Sequence, residues 1–164
     1  MAEESIGLSE SMEDYLEVIL NLEKANKVAR TKDIAEKMGV RQGSVTGALK
    51  NLEEKGLINY KPYSFITLTP GGEKIALEVT RRHSVLTDFL FRVLQLDERT
   101  ADDAACRMEH AMDKPTIDRL VRFIEFIDNC PRTGADWVSS FVNYLASDRL
   151  DPKACESCLN KCGI

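Results

Sequence analysis

The feature that most constrains the fold is a pair of short amphipathic segments separated by a glycine turn, TKDIAEKMGVRQGSVTGALKNLEEKGL. We expect Thr31 to cap a first helix that ends at Gly39, because threonine is a good N-cap and glycine readily ends helices. A second helix follows the turn VRQG and ends at Gly56. The apolar residues that recur with helical period are Ile34, Ala35, Met38, Val45, Leu49 and Leu52. Two short helices joined in this way are typical of a helix-turn-helix.

The stretch LINYKPYSFITLTPGG follows this pair and predicts a β-wing. Two short strands about a Pro-containing turn would hold Ile58, Tyr60, Phe65, Thr67 and Thr69. Pro70 suits the first turn of the next helix. Another helix precedes the pair, in SMEDYLEVILNLEKANK, with Ser9 or Ser11 as its cap. We therefore predict a winged helix-turn-helix domain over residues 1–72.

The remainder is predicted to be helical, which makes the fold class mainly α with a small β-wing. Apolar periodicity predicts helices over residues 73–94, 99–112 and 115–127. The stretch DFLFRVLQL has more apolar side chains than one small domain needs to bury, so we expect a helical dimer interface there.

The Cys130–Pro131 step interrupts the helical pattern. We assign residues 73–129 to a helical dimerisation domain. Residues 130–164 form a cysteine-rich C-terminal tail, which contains one more predicted helix, DWVSSFVNYLAS.

Charge is distributed unevenly along the chain. The net charge is −5, yet the window from Lys24 to Lys61 holds nine basic and four acidic residues and is locally +5. A basic face on an acidic protein suits contacts with DNA phosphates, although a solvated helical surface would have the same composition.

The second helix of a helix-turn-helix lies in the major groove with its N-terminal residues at the base edges. The residues predicted to contact bases are Arg41, Gln42, Ser44 and Thr46. Lys50, Lys61 and Tyr63 are the candidates for backbone contacts. Gly43 and Gly47 lack side chains, so this helix can lie close to double-stranded DNA. The alternative is a winged segment that packs without touching DNA.

Three residues with metal-binding side chains lie close together in ACRMEH. Cys106, Glu109 and His110 are spaced by three and four, which places them on one face of a helix. A fourth donor could come from the first helix, where Asp14 and Glu17 are three residues apart. The alternatives are an ordinary core histidine and a solvated helix edge.

Four of the five cysteines lie in the tail: Cys130, Cys155, Cys158 and Cys162. The run C-x₂-C-x₃-C suits one helix face, and four thiolates suit Zn²⁺ or an iron–sulfur cluster. Reduced surface thiols and disulfides formed on oxidation are the alternatives.

Other classes of protein are not expected. No apolar run is long enough to span a membrane, and the acidic N-terminus does not resemble a signal peptide. We therefore expect a cytoplasmic protein with no membrane partner. No motif indicates a substrate pocket, so we expect neither an enzyme nor an organic substrate.

Several motifs together resemble one family. They are MEDYLEVI, DIAEKMGVRQGSVTGALKNLEEKGLI with its wing, RRH, and ACRMEH followed by a Pro-containing turn. Over roughly residues 8–128 the chain resembles the diphtheria-toxin-repressor family of metal-dependent regulators, which includes manganese-responsive repressors. The resemblance implies a homodimer that binds operator DNA and an activating divalent metal between its two domains. It also implies the short, two-domain form, which lacks an SH3-like third domain.

The resemblance also implies the metal ligands. A principal site would use Asp14, Cys106, Glu109 and His110, so the helical domain over residues 73–129 would be the metal-binding and dimerisation domain. A second site would involve Glu17, His83 and Asp102. Asp14 follows the manganese-responsive pattern, whereas Cys106 follows the iron-responsive one.

A thiolate favours softer metals, so this ligand set suits Fe²⁺ better than Mn²⁺. We expect an Fe²⁺-activated transcriptional repressor of metal-homeostasis genes, in which metal binding fixes the dimer in a DNA-competent geometry. The alternatives are a manganese-responsive repressor and a winged-helix redox or iron–sulfur sensor that signals through the tail cysteines.

Overall fold

A computed structural model describes residues 8–26, 28–61, 64–129 and 134–149. The described elements are α1 Glu10–Asn26, α2 Thr31–Met38, α3 Gln42–Glu54, β1 Ile58–Asn59, β2 Thr67–Leu68, α4 Pro70–Asp88, a π-helical segment Phe89–Val93, α5 Glu98–Ala111, α6 Lys114–Asn129 and α7 Gly134–Ser147. The predicted fold class, mainly α with a small wing, is confirmed. No helix in the described part of the chain is long and apolar enough to cross a membrane.

The first compact unit comprises the described residues up to Arg81. Helices α1, α2 and α3 and the two strands enclose one apolar core, whose fully buried side chains include Leu16, Ile19, Ile34, Val45, Leu49, Leu52 and Ile66. Each such side chain contributes about 1.5–3 kcal/mol when it leaves water. The apolar periodicity of the sequence therefore identified the core faces of α2 and α3.

The ends of α2 confirm one prediction and correct another. Gly39 ends the helix in the left-handed conformation, with φ of 65°, and its N–H donates to the carbonyl oxygens of Ala35 and Glu36. The prediction that Thr31 is the N-cap was wrong, because Thr31 is already helical and Arg30 occupies the cap position. The Arg30 side chain makes no capping hydrogen bond.

The wing is shorter than predicted. Strands β1 and β2 pair antiparallel over two residues each, with Ile58 opposite Leu68. Tyr60, Phe65 and Thr69 were predicted to be in strands and lie outside them. A separate antiparallel bridge joins Ala29 to Ile66 and fixes the wing to the segment that precedes α2.

Glu23 of α1 also holds the wing. One of its carboxylate oxygens accepts a hydrogen bond from the backbone N–H of Leu68 at 3.3 Å. Burial of this carboxyl raises its pKa, and that hydrogen bond opposes the increase.

Helix α4 begins at Pro70, as predicted, because proline lacks the N–H that a first helical turn leaves unused. Gly72 lies in this first turn against the backbone of Leu57, where an added Cβ would be 2.0 Å from the Leu57 carbonyl oxygen. The start of α4 therefore packs on the chain just before β1.

The second compact unit comprises the described residues from Arg82 onward. Its buried core consists of Leu86, Leu90, Ala101, Ala105, Ile117, Val121 and Ile124. The predicted helices are present, with ends shifted by a few residues. The exception is the segment from Phe89 to Val93, which is π-helical where an α-helix was predicted.

Polar contacts fix the ends and edges of these helices. Asp97 caps α5, since its carboxylate accepts a hydrogen bond from the Thr100 N–H at 3.1 Å. Arg92 in the π-helical segment binds Asp128 at 2.6 Å and Asp88 at 3.0 Å.

The division between the two units falls inside α4, and the domain boundaries predicted at residues 72 and 129 stay predictions. The Cys130–Pro131 step, the cysteines at 155, 158 and 162, and Tyr63 lie outside the described residues.

Candidate metal centre and DNA-binding surface

Helix α5 brings three metal-binding side chains together. One donor atom from each of Cys106, Glu109 and His110 lies within 4.8 Å of the other two. The Asp97 cap fixes where α5 begins, and the spacing of three and four then places the three side chains on one face. The sequence prediction that these residues cluster is confirmed, and their role as metal ligands stays a prediction.

Glu109 is the most enclosed member of this cluster, with its side chain only 8% exposed. Its Oε1 lies 3.4 Å from His83 Nδ1 and 3.9 Å from His110 Nε2. Its Oε2 is buried and accepts no hydrogen bond from the described residues. A buried carboxylate oxygen without a donor is costly, so this atom is suited to a bound cation. The donor set therefore fits a divalent metal.

His83, on α4, connects this cluster to Asp102. Its Nε2 lies 2.9 Å from Asp102 Oδ1, and its Nδ1 faces Glu109. Two of the three residues predicted for a second metal site, His83 and Asp102, are thus in direct contact. His83 was predicted to lie near the site only through the family resemblance, since 26 residues separate it from Glu109.

Asp14 and Glu17 lie on α1, in the first unit, and both are half-buried. Their predicted contributions to the two metal sites stay predictions.

The DNA-binding candidates lie on the outer side of α3. Arg41, Gln42, Ser44 and Lys50 are exposed, whereas Val45, Leu49 and Leu52 on the other face are fully buried. Thr46 is half-buried, and its hydroxyl donates to the carbonyl of Gln42 at 3.0 Å. Lys61, after β1, is exposed as well. The predicted set, apart from Tyr63, is therefore available to a ligand.

A groove of about 740 Å³ lies beside this helix. Three of its lining residues, Gln42, Thr46 and Lys50, were predicted DNA contacts. Five other side chains in its lining were not predicted as DNA contacts: Arg30, Thr31, Tyr60, Ser64 and Phe65.

The guanidinium carbon of Arg30 lies over the Phe65 ring, 5.3 Å from its centroid. Phe65 is an aromatic residue in a polar turn, and this feature of the sequence could have indicated the pair. It was instead predicted to lie in a strand. Gly43 and Gly47 have no neighbours within 4 Å of an added Cβ, so the surface of α3 is open at both positions.

Family models match both halves of the chain. A model of the iron-dependent repressor N-terminal DNA-binding domain matches residues 7–66, and one of the iron-dependent repressor metal-binding and dimerisation domain matches residues 69–137.

Among curated relatives, an uncharacterised HTH-type transcriptional regulator of Methanocaldococcus jannaschii is 37% identical over 119 residues, which cover 72% of this chain and 95% of the relative. The HTH-type transcriptional regulator MntR of Lysinibacillus sphaericus is 35% identical over 121 residues, covering 74% of this chain and 86% of the relative.

Solved structures agree with this likeness. A manganese-dependent transcriptional repressor in complex with manganese matches with a TM-score of 0.62 and 30% identity, over 70% of this chain and 53% of its own. The repressor ScaR with bound Zn²⁺ matches with a TM-score of 0.59 and 26% identity, over 74% of this chain and 56% of its own. The chain thus spans about half the length of these structures. Together with the two domain models, these matches show that the chain belongs to the iron-dependent (diphtheria-toxin) repressor family of metal-dependent, DNA-binding transcriptional repressors, which are not enzymes.

Proposed function

We propose that this chain is a divalent-metal-activated repressor whose principal metal site uses Asp14, Cys106, Glu109 and His110. The observation that supports it most directly is the cluster on α5, with three donor atoms within 4.8 Å and a buried Glu109 oxygen that accepts no hydrogen bond from the described residues. The family's metal-binding domain model, which spans residues 69–137, contains this cluster.

Without a cation, the buried Oε2 of Glu109 has no donor among the described residues to compensate for the loss of water. Glu109 is enclosed, and a carboxylate from Asp14 would bring a second negative charge to it. When bound, the metal supplies positive charge and directional bonds to the protein ligands. Asp14 belongs to the first unit and the other three proposed ligands belong to the second. A metal bound by ligands from both units would favour one arrangement of the two α3 helices in a dimer.

We propose Fe²⁺ as the activating metal in preference to Mn²⁺. The thiolate of Cys106 and the imidazole of His110 are softer donors than the oxygens that Mn²⁺ prefers. The named relatives point the other way, since several are MntR regulators and one solved structure is a manganese complex. The Cys106 thiol is the feature of this chain that supports iron.

His83 and Asp102, with Glu17, are proposed as a second metal position beside the first. The 2.9 Å contact between His83 and Asp102 supports it, because a carboxylate that holds one imidazole nitrogen orients the other. In the tail, the four cysteines support binding of an iron–sulfur cluster or Zn²⁺. Iron, sulfide and zinc contents of anaerobically purified protein distinguish these ligands.

We also propose that the chain acts as a homodimer on operator DNA, and therefore in the cytoplasm. Large apolar side chains on the second unit support a partner surface, since Phe91 is 52%, Phe123 56% and Phe126 64% exposed. Phe91 belongs to the DFLFRVLQL stretch, where the sequence analysis predicted a dimer interface.

The proposed function is tested by metal-dependent DNA binding of the full chain, measured anaerobically by gel shift on genomic fragments. For the wild type we expect metal to raise DNA affinity by about 5- to 150-fold, with Fe²⁺ effective at lower concentration than Mn²⁺. Asp14→Ala and His110→Ala are expected to remain dimeric and to lose this increase, because each removes a ligand.

Asp103→Ala is the matched control, since Asp103 is an exposed carboxylate on the same helix as the cluster. It is expected to keep the full metal response. An undiminished metal response in Asp14→Ala or His110→Ala would contradict the proposed ligand set.

A further inference from the structure

The groove beside α3 has a chemical character that the proposed DNA contacts do not explain. Its described lining residues include two cations, Arg30 and Lys50, and no acidic residue. One wall is Phe65, an aromatic residue that is 52% exposed. A cationic groove with an apolar wall suits a sugar–phosphate strand, which presents a charged phosphate beside an apolar sugar.

The backbone builds the contact between Arg30 and Phe65. Ala29 and Ile66 form an antiparallel bridge, with Ile66 N–H donating to the Ala29 carbonyl at 2.9 Å and Ala29 N–H to the Ile66 carbonyl at 3.3 Å. In an antiparallel register the next pair of residues is Arg30 and Phe65, so their side chains are cross-strand neighbours. Ile66 and Ala29 are fully buried, which anchors the bridge in the core.

The position of Arg30 differs from that of the other candidate contacts. Arg30 occupies the N-cap position of α2, makes no capping bond there, and lies over the Phe65 ring. The aromatic ring attracts the guanidinium through its face. This attraction does not use the N–H groups of the guanidinium as hydrogen-bond donors. The guanidinium can therefore bind a phosphate oxygen while the ring limits its movement.

We propose that Arg30 binds a phosphate of the DNA strand that enters this groove, and that Phe65 is the positioning residue that holds the guanidinium there. The inference rests on the proposed DNA-binding function and adds two residues to it. Lys50, which also lines the groove, provides a second positive charge for the same strand. The base contacts predicted on α3 then determine sequence preference, and the Arg30–Phe65 pair adds affinity that does not depend on sequence.

The test measures the salt dependence of DNA affinity for the full-length, Mn²⁺-loaded protein. The probe is a fluorescein-labelled duplex that the wild type has selected from a random-sequence pool. We expect Arg30→Ala to weaken binding about tenfold, similarly on selected and random duplexes. It should also reduce the slope of log affinity against log salt by about 0.9 for each phosphate that the protein no longer neutralises. Arg30→Lys should keep most of the slope, because it keeps the charge.

Phe65→Leu should weaken binding by roughly two- to fivefold when Arg30 is present, and should have no effect in the Arg30→Ala protein. Lys74→Ala is the control, since Lys74 is an exposed cation of the same unit that lies outside the basic window of residues 24–61 and does not line the groove. It should leave the salt slope unchanged.

The outcomes separate this inference from the proposed function. A wild type that binds duplexes in response to metal, with an Arg30→Ala variant of unchanged salt slope, overturns the inference alone. Equal effects of Phe65→Leu with and without Arg30 overturn the positioning role of Phe65. A wild type that binds no duplex with any metal overturns both proposals.

Discussion

The two compact units hold their candidate functional groups in opposite ways. In the first unit, Gln42, Ser44 and Lys50 are exposed on the outer face of α3 and Arg41 is exposed at its N-cap, while a separate apolar face of the same helix fills the core. In the second unit, Glu109 is 8% exposed and contacts His83 at the edge of the packed helices. In the first unit, the candidate contact residues are therefore exposed and separate from the core. In the second unit, one candidate metal ligand, Glu109, is itself enclosed by the packed helices.

This difference predicts how substitutions will act. In the first unit, stability and DNA binding should change independently, because substitution of an exposed candidate contact residue has little effect on the core. In the second unit, a change that loosens α5 should also disturb the proposed metal ligands on that helix. Three substitutions test this contrast.

The largest expected effect is that of Gly72→Ala in the first unit. The added Cβ would lie 2.0 Å from the Leu57 carbonyl oxygen and 2.9 Å from its carbonyl carbon, so backbone must move. We expect the free energy of unfolding to fall by about 3 kcal/mol, as for severe overpacking. Urea denaturation of the full chain measures this.

Gly71→Ala is the matched control for Gly72→Ala. Its Cβ would meet its nearest neighbour at 3.7 Å, an ordinary contact distance. A similar loss of stability in both variants would show that the close approach of Gly72 to Leu57 is not the cause.

A smaller effect is expected for Gly47→Ala, on the exposed face of α3. No atom lies within 4 Å of the added Cβ, and alanine favours helix over glycine, so stability should rise by about 0.5–1 kcal/mol. If DNA lies close to α3, the methyl group should weaken metal-dependent DNA binding by about tenfold, equivalent to roughly 1.4 kcal/mol. Unfolding and DNA-binding measurements on one preparation should thus change in opposite directions. An increase in both would contradict close approach at this position.

The sequence predicted features that depend on spacing within one helix, and it did not predict contacts between helices. This holds in both units. Helix period identified the buried face of α3 and, by exclusion, its exposed contact residues, because both follow from local spacing. The cluster of Cys106, Glu109 and His110 was likewise local to one helix. The contact of His83 with Asp102 and Glu109 depends on how α4 packs against α5, which no local pattern encodes.

Local reasoning also failed at the wing. It assigned Phe65 to a strand from its β propensity, whereas the structure leaves it outside the strands, opposite Arg30. Their proximity depends on the bridge between Ala29 and Ile66, residues 37 apart in the chain. Thr31 was a plausible cap by residue type, but the bridge extends the backbone as far as Ala29 and leaves Arg30 in the cap position.

The smallest expected effect concerns Asp97, the cap of α5, and tests the coupling in the second unit. Hydrogen bonds from Thr100 to this carboxylate lower its pKa below the ordinary value of 3.8. Because the folded-state pKa is lowered, the stabilisation is fully present above pH 3.8 and is lost as the pH falls through the folded-state pKa. Asp97→Ala should therefore lower the urea midpoint at neutral pH, by an amount that shrinks as the pH falls below 3.8. Asp97→Asn keeps an acceptor at the cap and should remove most of this pH dependence.

If α5 couples packing to the proposed metal ligands, Asp97→Ala should also weaken metal binding at neutral pH, although Asp97 is not among those ligands. Titration with Mn²⁺ on the Asp97→Ala and Asp103→Ala variants measures this, with Asp103→Ala as an exposed change on the same helix. A lower urea midpoint with unchanged Mn²⁺ affinity would mean that the cluster tolerates loosening of its own helix. The second unit would then separate stability from function as the first one does, and the contrast between the two units would disappear.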